Sequence, residues 1–332
     1  MGAQTSTNSN QHSQTPRNQK PRKKSRKVRY DRILIMLILI IGIIFLFTYC
    51  IRSCGKDNSD EKNKNNNNES SDVSDTTTES KVPENVISLS SESLHTGDLV
   101  IVNANYAYSF IESDLNLVTV YENRSDSYQV SDMEIMLNSE VITNLNAMMD
   151  KYHEIYNNTD IQIIGGYRSK ERQDEKYAER STMLAGGYSD YHTGRSFDIG
   201  IFPDNAGSNY YAPTGDYSWI AEHASEYGFI VRYPDGKADE TGINPRTYTY
   251  RYVGLPHSTY IYENKICLEE YITEVKKHSL DNPLEINVKD TKWNVYYASK
   301  STSGDTKVSV PGDKEYIVSG DNIDGFIIAY KQ

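Results

Sequence analysis

The chain has 332 residues and a formal net charge of −11, unevenly laid out: residues 1–32 hold nine Lys/Arg against one acid, which leaves −19 on the other 300. Phosphate binding depends on Lys and Arg, so an acidic main body excludes nucleic acid as a partner. Three cysteines, with no CxxC pair and no Cys/His cluster at zinc-finger spacing, exclude a disulfide scaffold and a structural zinc site of that kind.

Residues 1–32 read as a basic cytoplasmic tail. From Ile33 to Ile51 nineteen residues follow without a charge, nearly all Ile, Leu, Met or Phe. At 1.5 Å rise per residue that run just crosses a hydrocarbon core. With the cations directly before it, the positive-inside bias predicts a single-pass membrane anchor, the N-terminus cytoplasmic and the rest outside. The run is longer than a signal-peptide core, and no small-x-small cleavage site follows it. Residues 52–95 are expected to be a disordered polar linker: KDNSDEKNKNNNNESSDVSDTTTESKVPEN (56–85) has two valines and no other large apolar residue. Such a tether gives reach from a membrane surface. The Asn-, Ile- and Lys-rich composition fits a low-GC, Gram-positive bacterium.

A folded domain is expected over 96–283, with order beginning near Leu99, where LVIVN reads as a short strand. Val141, Leu145, Met148, Met149, Tyr152 and Ile155 recur at spacings of three and four, predicting an amphipathic helix over 139–156. IQIIGG (161–166) reads as a strand into a turn, KERQDEKYAER (170–180) as a charged surface helix and SFDIGIF (196–202) as a strand. WIAEHASEYGFIV (219–231) reads as a helix then a strand, TYTYRYVG (247–254) as a strand and ICLEEYITEVKKH (266–278) as a helix. NVYYA, KVSV, EYIV and FIIAY suggest a small β-rich appendage over 284–332. Helices and strands mix without a βαβ rhythm, so the class is α+β.

Four ordered blocks carry a family resemblance. GGYRSKERQ (165–173) is similar to SGYRSxxxQ, and SDYHTGRSFD (189–198) to SxHxxGxAxD. WIAEHASEYGFIVRYPDGK (219–237) is similar to WLxxNAxxYGFIxRYPxxK, and TGINPRTYTYRYVG (241–254) to TGYxxEPWHxRYVG. The patterns are those of the VanY-type D-alanyl-D-alanine carboxypeptidases, zinc peptidases of the cell wall that this segment resembles. The resemblance implies a central antiparallel sheet with flanking helices, in the carboxypeptidase and hedgehog-like arrangement. It also implies zinc held by the His and Asp of the second block and the His of the last, with a Glu as base. Three protein ligands leave zinc an open position for an acidified water, and a carboxylate collects the proton.

Carried over position by position, these roles fall on Tyr191, Asp198, Thr249 and, for the base, Arg246, so that one of four is kept. A phenol with a pKa near 10 is a poor zinc ligand at neutral pH, and a guanidinium cannot act as the base. Arg246 is expected to pair with Asp198 in the metal's place. A rearranged metal set of His192, Asp198 and His257 is the alternative, and it would keep zinc as a cofactor. Arg168, after a Gly-Gly turn, is expected to bind substrate carboxylate, with Gln173 and Ser189 lining the site. The expected function is a non-catalytic relative binding peptidoglycan stem peptides or a cell-wall protein. An active zinc carboxypeptidase and a structural scaffold are the alternatives.

Overall fold

The structure, a computed structural model, describes residues 84–203, 207 and 209–332. The basic tail, the apolar run 33–51 and most of the linker lie outside the described residues. Among the described residues no helix is long and apolar enough to cross a membrane.

The first described element falls inside the expected linker. Strand β1 (Glu84–Leu89) pairs antiparallel with residues 306–311, and Ile87 and Leu89 pack into a core. A six-residue run with alternate apolar residues is too short to stand out beside a polar tract, and its partner lies more than 200 residues away. Leu99–Val102, by contrast, are fully buried but form no strand. Their polar groups are met one by one: the Leu99 amide donates to Ser319 Oγ at 2.9 Å, the Ile101 amide to the Asp321 carbonyl at 3.2 Å, and the Val100 carbonyl accepts from Arg251 at 3.1 Å.

Short strands β2 (Leu117–Thr119), β3 (Gln129–Val130) and β4 (Met136–Asn138) lead into helix α1 (Ser139–Tyr156). The Asn138 side chain caps α1 by accepting the Glu140 amide, and Asn157 closes it in the left-handed region. Its apolar face is buried from Val141 to Tyr152, whereas Ile155, assigned to that face from spacing, is 47% exposed where the helix runs past the core. Strand β5 (Ile161–Gly165), helix α2 (Lys170–Ala178), strands β6 (Ser196–Ile201) and β7 (Asn209–Tyr210), helix α3 (Ser218–His223), and strands β8 (Phe229–Tyr233) and β9 (Arg246–Tyr252) follow. The central sheet has the order β3-β5-β6-β9-β8, with β7 beside the end of β6. It is antiparallel except for the two-residue β3–β5 pair. Phe197, Ile199 and Tyr250 on one face pack with Leu145 and Met148 of α1, in a continuous core.

Helices α4 (His257–Asn264) and α5 (Leu268–Val275) cover another part of the molecule, and strands β10 (Leu284–Val288), β11 (Thr291–Ser299), β12 (Thr306–Pro311), β13 (Tyr316–Gly320) and β14 (Gly325–Lys331) complete the chain. The sheet β10-β11-β14-β13 is not a separate appendage. Trp293, Val295, Ile327 and Ala329 share a core with Leu99, Ile230, Val253 and α5, while Tyr296, Phe326 and Ile328 pack with Val308 and Val310 of β12. Because both faces of β11 and β14 are covered, the sheet is part of the same body.

Candidate functional site

The candidate site is built across the middle strands of the central sheet. Asp198 on β6 stands opposite Thr249 on β9 and Gly165 on β5. Side chains alternate along a strand, so Asp198 and Thr249 share the face opposite the Phe197/Tyr250 core. Gly165 makes room: a Cβ there would lie 3.1 Å from Asp198 Oδ2. A 3-10 turn, Asp190–Thr193, brings Tyr191 over the same spot. The turn ends at Gly194, whose φ of +66° suits glycine, and a Cβ there would meet Leu117 at 2.7 Å.

Three of the four family-equivalent positions are thereby joined. Tyr191 Oη donates to Asp198 Oδ1 at 2.7 Å, and Thr249 Oγ1 donates to the same oxygen at 2.6 Å. Tyr191 is 3% exposed, Thr249 0% and Asp198 8%. Burial, then the adjacent Asp198 carboxylate, push the Tyr191 phenol well above its ordinary range, so it stays protonated and a donor. Arg246 departs from expectation. It does not close an ion pair on Asp198 but lies over the ring of Tyr233, with Cζ 5.6 Å from the centroid. The reason is local: the β8–β9 register shifts between Val231 and Tyr233, setting Arg246 opposite Tyr233. Arg246 remains within electrostatic reach of Tyr191 and Asp198.

Arg168 is held in place from several sides. Its guanidinium lies 3.8 Å from the centroid of the Tyr191 ring, and Nη1 donates to Gln173 Oε1 at 3.4 Å. Its carbonyl oxygen is 2.6 Å from His192 Nδ1. Lys176 on α2 stands near enough to Arg168 for the like charge, after burial, to lower its pKa. Gln173 is fully buried, its amide nitrogen given to the Leu184 carbonyl at 2.7 Å and to Thr182 Oγ1 at 3.3 Å. Through its side-chain oxygen it helps position Arg168. Ser189 is 2% exposed, and its carbonyl accepts the His192 amide at 3.0 Å, closing the turn that carries Tyr191.

The rearranged metal set is not assembled. Both ring nitrogens of fully buried His192 are committed, Nδ1 to the Arg168 carbonyl and Nε2 as acceptor of the Gly187 amide at 3.0 Å. That pattern fixes the hydrogen on Nδ1, and burial lowers the pKa, keeping the ring neutral. His257 begins α4, with Nδ1 2.6 Å from the Tyr271 hydroxyl. Among the described residues no group of three His, Cys, Asp or Glu is placed to hold a metal ion. Nor does the chemistry of the Tyr191–Asp198–Thr249 set fit zinc, since its two hydroxyls point their hydrogens at the carboxylate instead of offering lone pairs to a cation.

Sequence reasoning passed over a second charged centre under the first. Asp190, 1% exposed, lies 2.7 Å from Arg251 Nη1 and 3.1 Å from Arg232 Nε, and Ser196 Oγ also donates to it. Arg232 in turn grips Glu269 of α5 with two nitrogens, at 2.8 and 3.0 Å. Arg195 joins Asp98 and Asp114 at 2.7 and 2.9 Å. Cations set among apolar strand residues, as in FIVRY and TYRYVG, were the available signal.

The model of the family "VanY: D-alanyl-D-alanine carboxypeptidase" matches residues 134–255. A D-alanyl-D-alanine carboxypeptidase of Enterococcus faecium is 30% identical over 251 residues, covering 73% of this chain and 77% of the relative. The putative carboxypeptidase YodJ of Bacillus subtilis is 30% identical over 192 residues, 54% of this chain and 68% of its own. Among solved structures, the vancomycin resistance D,D-dipeptidase VanXYg, in complex with a D-Ala-D-Ala phosphinate analogue, superposes with a TM-score of 0.65 at 26% identity. That superposition covers 75% of this chain and all of the other. By its motifs, its α+β fold and its likeness to the enterococcal protein over about three quarters of each chain, the chain belongs to the VanY family of D-alanyl-D-alanine carboxypeptidases.

Proposed function

We propose that this chain is a non-catalytic member of its family, anchored in the cell membrane of a Gram-positive bacterium with its folded domain facing the wall. In this reading the inherited cleft binds the carboxylate end of a peptidoglycan stem peptide without cleaving it. One observation carries the proposal: Asp198, at the one kept ligand position, is engaged through a single oxygen by hydroxyl donors from Tyr191 and Thr249, the two replaced positions. In this reading the side chains at the family's three ligand positions bond to one another instead of to zinc, and Arg246 takes the base's place in the motif. With an arginine at the motif position of the base and hydroxyl donors at two of the three ligand positions, this reading includes no hydrolytic step.

What is kept suits binding. Arg168 is pre-positioned by Tyr191, Gln173 and His192, and Lys176 and Arg246 stand in the same surroundings, making the region attractive to an anion. A planar guanidinium recognises a carboxylate through two parallel hydrogen bonds. Pre-positioning lowers the ordering cost of binding.

The test has two arms on the full-length chain. Elemental analysis after equilibration with zinc is expected to show far less than one zinc per chain, with no D-alanine released from a pentapeptide. A binding titration with that peptide is expected to weaken roughly tenfold to a hundredfold on Arg168→Ala, the worth of one charge-assisted hydrogen-bonded contact. Stoichiometric zinc with D-alanine release would restore the enzyme reading. No peptide binding by a folded, zinc-free chain would leave the scaffold reading.

A further inference from the structure

A cavity of about 390 Å³ lies away from the Asp198 site, where the Asp98–Leu99 segment, α1, the end of β9 and the C-terminal sheet meet. Its walls include Asp98, Glu140, Tyr252, His257 and Trp293. Two of the polar groups are carboxylates, and His257 is among the donors. Asp98 Oδ1 is taken by Arg195 Nε at 2.7 Å and Glu140 Oε1 by the Tyr252 hydroxyl at 3.0 Å, so each carboxylate keeps its second oxygen free of partners among the described residues. The Tyr252 hydroxyl is itself fixed, accepting from Asn144 at 3.3 Å.

His257 is the observation that points to a ligand. It is 4% exposed, yet only one ring nitrogen has a partner among the described residues: Nδ1, 2.6 Å from the hydroxyl of fully buried Tyr271. A buried hydroxyl must donate, and Nδ1 is the acceptor it has. The hydrogen of the neutral ring is therefore on Nε2, which has no partner among the described residues, and His257 lines the cavity. Burial holds the ring down to about 4, so it adds no positive charge at neutral pH. The arrangement is two anchored carboxylates, a neutral N–H donor and the indole of Trp293, 8% exposed.

We propose that this cavity is a ligand site for the α-ammonium end of an amino acid derivative or peptide. Asp98 and Glu140 accept the ammonium hydrogens, and His257 Nε2–H donates to the neighbouring carbonyl oxygen. Charged hydrogen bonds fix the cation, while a neutral donor suits a carbonyl. The site requires the C-terminal strands, which supply Trp293, and it is independent of the cleft reading above.

The test is an isothermal titration of the full-length chain with L-alaninamide. Saturable binding is expected, with no binding of N-acetyl-L-alaninamide, which lacks the ammonium, and several-fold weaker binding of propylamine, which lacks the carbonyl. Glu140→Gln, which keeps an acceptor for Tyr252, is expected to weaken L-alaninamide at least tenfold. Asp98→Asn tests the second carboxylate but also loosens Arg195, so Glu140→Gln decides. Tetra-L-alanine amide separates the two sources: equal affinity identifies a peptide end, and its exclusion identifies a free amino compound. No saturable binding below about 10 mM, equal binding of the acetylated probe, or indifference to Glu140→Gln would overturn the proposal.

Discussion

Asp190 and Asp198 belong to one ten-residue block and are both buried, yet they are balanced by opposite means. Asp190 sits among the guanidinium groups of Arg232 and Arg251, with Ser196 completing its shell. Burial alone would raise its pKa, but the two arginines and Ser196 outweigh burial and hold the carboxyl below its usual range. Asp198 has two neutral hydroxyls instead of a salt bridge. The first centre ties the turn 190–193 to β8, β9 and, through Glu269, to α5. The second fills a place where the family resemblance implies a cation. One carboxylate is thus structural in charge and partner, whereas the other keeps a family position with its partners exchanged.

Unequal losses on equivalent substitutions would sharpen that comparison. Asp190→Asn leaves buried guanidinium charge short of its counter-ion and is expected to cost about 3–5 kcal/mol in equilibrium denaturation. Asp198→Asn retains an oxygen that can accept from Tyr191 and Thr249, and about 1–2 kcal/mol is expected. Equal losses would mean that the Tyr191–Asp198–Thr249 cluster supports the fold as strongly as the ion network does.

Acid titration separates the buried histidines from the ion network. With a folded pKa near 4, His257 is protonated first in the unfolded chain as pH falls. Its stabilisation is therefore full above about 6.5 and is lost between there and 4, by about 3 kcal/mol. His192, lowered by burial, acts with the same sign. The contribution of Asp190 is present above the ordinary carboxylate range and is lost only when pH falls through its still lower folded value. Melting temperature followed from pH 7.5 downward should accordingly decline in two stages, and His257→Gln should flatten the first. A first stage that His257→Gln leaves unchanged would remove this assignment.

Smaller effects test the packing around Asp198. Tyr191→Phe keeps the ring under Arg168 but removes one donor, with about 1 kcal/mol of stability expected to go and peptide binding retained. Loss of binding would show that the hydroxyl, not the ring, positions Arg168. Gly165→Ala places a methyl group 3.1 Å from Asp198 Oδ2, and the carboxylate is pinned on its other oxygen. A loss below about 1 kcal/mol is expected, because overpacking is offset by the reduced freedom of the unfolded chain. A gain would show that the carboxylate can swing away.

The sequence by itself determined the local and the patterned. Helix α1 follows from apolar spacing, β5, β6, β8 and β9 from short apolar or alternating runs, and the position of the site from four motif blocks whose order specifies the family. Motif spacing also aligned Tyr191, Asp198 and Thr249 with the family's ligand positions, and the structure brings these three side chains together. What tertiary structure decided depends on groups distant in the chain. Strand β1 exists because a partner more than 200 residues later pairs with it, and Leu99–Val102 stay irregular because side chains of residues such as Arg251 and Ser319 satisfy their backbone. The C-terminal strands join the main body because both faces of β11 and β14 find apolar cover. Arg246 turns to Tyr233 because of a register shift that no motif displays. The pairing of Asp198 with two hydroxyls and of Asp190 with two guanidiniums is a matter of ångströms across neighbouring strands, and a residue pattern does not encode which donor reaches which oxygen.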